Sequence, residues 1–441
     1  MKKHEFAIHY FDNIGVGITF LVLSFVGVFL IYRRHIYSIF DPLLFMTVLA
    51  SSAYSVVFYL YYFEMIADYY FYSFLLTQFF FFIGFSLNKP IRFNKEVVLN
   101  ETSSIPSLRF NGAMVFLYPI AVFLYIFSQL VVYKYSGIPL FMESRLEAFS
   151  GGGGYGFLRR VIYVTSIISV ALAFFRIFYV KTNIFGKAFD YFTIAVSVIF
   201  AGLSGSKAAL LLLIFTCFFV IFFSRKFGPA DLVEKRAKRV FLSGALVAVP
   251  LAVMTLVVQS GLRGWGDVSV SLLMRFINTG DIFYMALPNN LLGDLTPANG
   301  FMAMFKDVLG ALRIFSWEEL PVNLGLQVFW ANYNVDLISG PNARHNIFGL
   351  FYFGVVGGAV LSFCLGFFVS FIRNRVYLAL PATLSSMIFY VLLCSVTLYV
   401  EQDPAGMAVG YYFSIFLIYP VLYGFSLLLF SASKSLPKRV L

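Results

Sequence analysis

Apolar residues recur along this chain in runs of about twenty, the length a helix needs to cross roughly 30 Å of hydrocarbon at 1.5 Å per residue. Such runs fall at residues 14–32, 42–62, 69–87, 112–133, 160–180, 188–203, 207–223, 240–259, 347–371, 377–398 and 407–430. The pattern predicts an all-α polytopic membrane protein with about eleven transmembrane helices, in a range of about 10–14. No repeat of fixed period interrupts it and no water-soluble domain stands apart from it, so residues 1–441 read as a single integral membrane domain. Two longer segments separate the runs, a Gly-rich loop at 134–159 and a larger loop at 260–346.

Composition narrows the class further. Hydrophobic residues make up 60% of the 441 positions and charged residues only 12%, about half the share of an ordinary soluble domain, which excludes a water-soluble fold. The opening Met1-Lys2-Lys3 resembles the start of a signal peptide, but the apolar stretch after it is too long and has no small-residue cleavage site, so a retained first helix is expected. Cys217, Cys364 and Cys394 all fall inside predicted spans, where neither a disulfide frame nor a metal cluster is expected. The net charge of +11 is spread over short loops and forms no continuous face for nucleic acid.

That spread orients the chain, because Lys and Arg concentrate in cytoplasmic loops. Arg33 and Arg34, the loop holding Lys89, Arg92, Lys95 and Arg109, the run 225–239, Arg373 with Arg375, and the tail Lys434, Lys438 and Arg439 fall on one side, expected to be the cytoplasm. The opposite side receives 64–68, 134–159, 204–206, 260–346, and Glu401 with Asp403. The N-terminus is then outside, a placement that Lys2 and Lys3 disfavour.

The 260–346 segment contains all three tryptophans, Trp265, Trp317 and Trp330, and tryptophan favours the headgroup zone. The segment is therefore expected to lie on the membrane surface. Phe301, Phe305, Val308, Leu312 and Phe315 recur there at helical spacing with Lys306, Asp307 and Arg313 between them. That pattern fits either an in-plane amphipathic helix or a packed helix of a small cap.

Chemistry is expected at the outer boundary. The spans have almost no Asp or Glu, which disfavours an ion-coupled transporter. Instead Arg145, Arg159, Arg160, Lys207, Arg263, Arg275 and Arg344 collect on the outer side against the positive-inside trend, as a site for an anion requires. Lys207 follows the turn Gly202-Leu203-Ser204-Gly205-Ser206 and opens an apolar helix. Its ammonium and the helix N-terminus suit a phosphate, the alternative being a lysine snorkelling from a span end. His345 is expected at the outer mouth, in Gly340-Pro341-Asn342-Ala343-Arg344-His345-Asn346. It reads either as a general base beside a cation or as a structural hydrogen-bonder.

His345-Asn346 followed by Phe353-Gly354-Val355-Val356-Gly357-Gly358 resembles the signature of the O-antigen polymerase and ligase superfamily, a His-Asn pair before a Gly-x-x-Gly at the start of a span. Ser204-Gly205-Ser206-Lys207-Ala208-Ala209-Leu210 is similar to its Gly-Ser-Arg-Gly element, with Lys207 in place of the usual Arg. Gly137-Ile138-Pro139-Leu140-Phe141, leading to Arg145 and Gly156, is similar to a segment of the Wzy-type oligosaccharide repeat unit polymerases. The matches cover residues 137–358 in separated pieces. A second Arg-spaced Gly is missing from the larger loop, since Arg344 reaches Gly354 one residue too soon.

The resemblance implies a GT-C-like helical bundle in the bacterial inner membrane, with a long periplasmic loop carrying in-plane helices and an active site facing the periplasm. It implies a metal-independent, inverting glycosyl transfer that joins undecaprenyl-pyrophosphate-linked oligosaccharides, with no cofactor and no nucleic acid. Partners would be membrane lipid and a chain-length regulator protein. His345 would be the general base on the acceptor hydroxyl, and Arg145, Lys207, Arg263, Arg275 and Arg344 would hold the pyrophosphate. The alternatives are an O-antigen ligase, which shares the His-Asn pair, and a flippase for lipid-linked sugars, which would place basic residues deep in the spans, where Arg176 is the main one.

Overall fold

A computed structural model describes residues 1–91, 112–142, 155–227, 234–239, 250, 254, 265–335 and 338–435, with the side chains of 155, 207, 265–269, 272 and 435 outside the description. The described residues form helices and no strand. Among the described residues, eight helices are long and apolar enough to cross a membrane, and two shorter apolar ones accompany them. Together these answer every expected run except 240–259, which lies almost wholly outside the described residues. The chain is therefore a helical, multi-pass membrane protein. Two compact units divide it, one of Met1–Ile91, Leu262–Leu378 and Val396–Gly410, the other of Arg92–Gly261, Ala379–Ser395 and Tyr411–Leu441.

In the first unit, α1 (Lys3–Asp12), α2 (Ile14–Tyr32), α3 (Pro42–Tyr62) and α4 (Asp68–Ser86) precede the inserted segment, and α5 (His345–Ser370) follows it. Helix α3 starts where it does because Pro42 occupies its first turn and the Asp41 carboxylate caps the Leu43 amide at 2.9 Å. Helices α4 and α5 approach backbone to backbone. A Cβ on Gly84 would fall 2.1 Å from the Phe363 carbonyl oxygen, and one on Gly366 would fall 2.0 Å from that of Phe81. Between apolar helices in lipid, where water expulsion gives little drive, such small-residue contact is the main source of association.

Helix α5 is not one straight span. Gly354 sits at φ 68°, ψ −175°, a conformation closed to L side chains, and Gly349 packs on Gly358, its Cβ position 2.8 Å from the Gly358 Cα. In a continuous helix those residues would be about 13 Å apart. The chain therefore reverses at Gly354: residues 345–353 form a re-entrant half-helix lying antiparallel to residues 355–370. The glycines of the His-Asn…Gly-x-x-Gly resemblance supply this reversal and the close packing beside it.

The two ends of this unit sort as the charge pattern predicts. At one end Arg373 binds the buried Asp41 and donates to the His35 carbonyl at 3.0 Å, while Arg375 reaches the Asn88 side chain at 3.3 Å, gathering the basic turns. Burial and the Arg373 guanidinium hold the His35 imidazole down to about 4, against a smaller opposing pull from Asp41. At the other end α1 folds back: His9 packs edge-on against Phe63, Phe6 stacks on Tyr284 at 4.3 Å, and the Met1 ammonium donates to Asn332 at 3.2 Å. The Lys3 amide also donates to the Tyr333 hydroxyl at 2.9 Å, so the N-terminus is held by the inserted segment.

The inserted segment does not rest on the surface as expected. Gly280 presses into α3, with its Cβ position 2.8 Å from the Ala53 carbonyl oxygen, and Thr279 donates to the Leu49 carbonyl at 3.3 Å, both near the middle of that span. Helix α6 (Gly300–Ala311) packs through Ala303, Met304 and Gly310, whereas Phe301 and Phe305 are exposed. The apolar stripe read from sequence is the outward face, and Ala303, Met304 and Gly310 make the protein contact.

In the second unit, α7 (Met114–Ser136) ends at Gly137, followed by the short helix Pro139–Phe141. Helices α8 (Tyr155–Tyr179) and α9 (Ile184–Leu203) are tied by Arg176 and the fully buried Asp190 at 2.9 Å. Asp190 is one of the few carboxylates that the spans hold, and it is matched by a cation. Arg176 is thereby neutralised, and its guanidinium also lies 5.3 Å over the Tyr118 ring.

Candidate functional site

The half-helix of residues 345–353 begins inside the first unit, and the residues at its foot form the candidate site. Its N-terminus carries a partial positive charge, and the chain supplies a carboxylate there. Glu401 follows the short helix α10 (Leu384–Val400) and is only 4% exposed. Its carboxylate accepts from the Arg344 guanidinium at 2.8 Å and from the Tyr54 hydroxyl, and its carbonyl accepts from the His345 amide at 3.3 Å. Arg344, 2% exposed, also donates to the Thr279 carbonyl at 3.1 Å and lies 5.6 Å over the Tyr54 ring.

An ion pair at this depth is costly to bury and persists only where both charges are matched and hydrogen-bonded. Tyr54 lies near the middle of α3, and Thr77 and Gln78 near the middle of α4, roughly 12 Å from either end of that helix at 1.5 Å per residue. The structure therefore places Arg344, His345 and Asn346 in the interior of the bundle, not at the outer mouth expected from sequence. The reversal at Gly354 carries them there: the half-helix returns from Gly354 to the bundle interior before the second half crosses.

His345 is fully buried, its ring tilted against Phe81 at 4.8 Å, and neither ring nitrogen has a hydrogen-bond partner. Asn346 donates to Thr77 Oγ1 at 2.9 Å and to Gln78 Oε1 at 3.4 Å. Arg344 Nε, Asn346 Oδ1, Gln78 Nε2 and Ser362 Oγ are likewise buried without a partner. Ser362 stands four residues beyond Gly358 as His345 stands four before Gly349, so the hairpin brings the two level. Buried polar groups are nearly always satisfied. A collection of orphans on three consecutive residues and their neighbours marks a place where something polar completes the site.

Of the other predicted residues, Arg275 is half-buried on the helix Trp265–Ile277, one turn before Thr279, which accepts from Arg344. Arg145 and Arg263 lie outside the described residues. Lys207 opens the helix Lys207–Ser224 of the second unit, and its side chain is outside the description. In the same unit Arg160 donates to Ser414 at 3.3 Å and covers Phe413 at 5.1 Å. Sequence reasoning missed Glu401, Tyr54 and Gln78. Glu401 had a signal, a carboxylate directly after a short apolar run; the other two had none, since a Tyr or Gln in a span reads as packing. Among the described residues no three His, Cys, Asp or Glu side chains group as metal ligands.

No family model, no curated protein and no solved structure matches the chain. Fold and site alone define its class: a multi-pass helical membrane protein with a re-entrant half-helix and a buried polar centre at mid-span.

Proposed function

We propose that this protein is a glycosyltransferase that polymerises undecaprenyl-pyrophosphate-linked oligosaccharide repeat units into a surface polysaccharide, in a GT-C-like bundle of the bacterial inner membrane. The reaction faces the periplasm. The observation that carries the reading is His345, buried at the foot of the half-helix with both ring nitrogens unpartnered, beside an arginine fixed by Glu401 and Tyr54. A neutral imidazole with a nitrogen free of any protein partner has the acceptor geometry that a general base on a substrate hydroxyl needs. The acceptor oxygen then attacks the anomeric carbon of the donor, the bond from that carbon to the pyrophosphate oxygen breaks, and the configuration inverts.

The ion pair with Glu401 changes the role assigned to Arg344. Its charge is matched inside the protein, so its role is to set the position of the half-helix that carries His345. Arg145, Lys207, Arg263 and Arg275 are the residues left to hold the leaving pyrophosphate. The charge of Arg176 is spent on Asp190, which removes the basic residue that a flippase reading relied on. Deletion of the gene with analysis of surface polysaccharide on gels tests the proposal. Single-repeat product supports it; loss of all polysaccharide from the lipid core points to a ligase, and no accumulated lipid-linked repeat on the outer side points to transport.

A further inference from the structure

Gln78 and Asn346 share a feature that the base chemistry leaves unused. The Thr77 hydroxyl donates to the carbonyls of Ser73 and Phe74, at 2.9 and 3.0 Å, so toward Asn346 its oxygen can only accept. That fixes the Asn346 amide: Nδ2 donates to Thr77 and leans on Gln78 Oε1, leaving Oδ1 as an acceptor. Gln78, having offered Oε1, is left with Nε2 as a donor. Both atoms are buried and unpartnered, on side chains 2% and 5% exposed. One donor and one acceptor thus stand side by side, next in sequence to His345, whose ring rests on Phe81, three residues beyond Gln78 and on the same face of α4.

The geometry points to a polyol-recognition subsite: Gln78 Nε2 and Asn346 Oδ1 bind one pair of adjacent sugar hydroxyls, the Gln78 amide donating to one oxygen and the other hydroxyl donating to Asn346. This deepens the glycosyltransferase reading and rests on it, with the dyad holding the acceptor sugar while His345 takes the proton of its reactive hydroxyl. A vicinal diol matches the dyad because each hydroxyl both donates and accepts, so neither amide atom stays orphaned; an apolar chain would leave both unsatisfied. The site is closed to solvent here. Entry of a sugar therefore requires the half-helix to shift.

The test uses purified full-length protein in lipid nanodiscs and a panel of methyl glycosides with their monodeoxy analogues, binding being read by saturation-transfer NMR. Wild-type protein is expected to bind at least one glycoside saturably and to discriminate against one deoxy analogue. Gln78→Met, of similar volume and without the donor, should weaken that glycoside at least tenfold and abolish the discrimination. Gln78→Leu, which also lacks the donor, should do the same and serves if the first variant does not insert. His345→Ala removes the contact to the reactive hydroxyl and should lower affinity, yet keep the discrimination against the same deoxy analogue. Discrimination unchanged in both Gln78 variants overturns the subsite even if His345→Ala is inactive in polymerisation. Conversely, Gln78-dependent binding with a fully active His345→Ala keeps the subsite and sinks the base. No saturable binding to wild type means that the dyad holds water only, and the inference fails.

Discussion

Removing one partner of the Arg344–Glu401 pair should cost far more than removing both. The two side chains are 3% and 5% exposed and meet at 2.8 Å, with Tyr54 and the Thr279 carbonyl completing the shell. Glu401→Leu strands a buried guanidinium beside a helix N-terminus that is itself positive. Breaking a buried pair this way costs about 3–5 kcal/mol, well above the average of about 0.6 kcal/mol for a neutral hydrogen bond between membrane helices. Glu401→Gln keeps an acceptor for both Arg344 and Tyr54 and should cost about 1.5–3 kcal/mol. Arg344→Met leaves Glu401 with the Tyr54 hydroxyl and the helix dipole, a smaller loss. In Arg344→Met/Glu401→Leu the stranded charge is gone, so the double variant should be more stable than Glu401→Leu alone. Equilibrium unfolding in mixed micelles titrated with SDS, followed by fluorescence of the three tryptophans, gives the four corners of the cycle. A coupling of at least about 2 kcal/mol is expected. Costs that add to within about 0.5 kcal/mol, as for distant sites, would show that the pair does not hold the half-helix in place.

Three further outcomes follow from the same structure. Gly366→Leu, whose first added carbon already meets the Phe81 carbonyl at 2.0 Å, should lower thermal stability by about 1–3 kcal/mol or prevent α4–α5 packing, whereas Gly27→Leu, with nothing within 4 Å, should be close to neutral in a differential scanning measurement. His35, held down to about 4, carries fewer protons folded than unfolded between pH 4 and 6.5, so it makes stability rise with pH across that window; His35→Gln should flatten the rise, and an unchanged pH profile would contradict the burial argument. Lys207→Arg should keep polymerisation while Lys207→Gln loses most of it with normal membrane insertion, read from polysaccharide length on gels; full activity of Lys207→Gln would leave a snorkelling lysine at the helix start.

The spans were legible because their signal is length and apolarity, which no tertiary detail overrides. The depth of the site was not. Residues 345–353 and 355–370 are equally apolar, so hydropathy reads them as one crossing, and only Gly354 marks the reversal. His345 accordingly looked like a residue at a span entrance, when the fold carries it to the foot of a half-helix. Glu401 shows the complementary gap: a carboxylate near a span end reads as a loop residue until its arginine is seen. In α6 the stripe of Phe301 and Phe305 was visible in sequence, but which face met protein was not: the phenylalanines point outward and Ala303, Met304 and Gly310 make the contact. Arg145, Arg263 and the 240–259 run lie outside the described residues, and the site they were assigned to keeps only Arg344, His345 and the nearby Arg275 in view.

Polymerisation of purified lipid-linked repeat units by His345→Ala tests the central claim most directly. If the buried imidazole takes the acceptor's proton, the variant should insert and unfold like wild type yet polymerise about 10²- to 10⁴-fold more slowly, while His4→Ala and His9→Ala stay near the wild-type rate. A His345→Ala protein that polymerises within a few-fold of wild type would contradict the account and leave His345 a packing residue against Phe81.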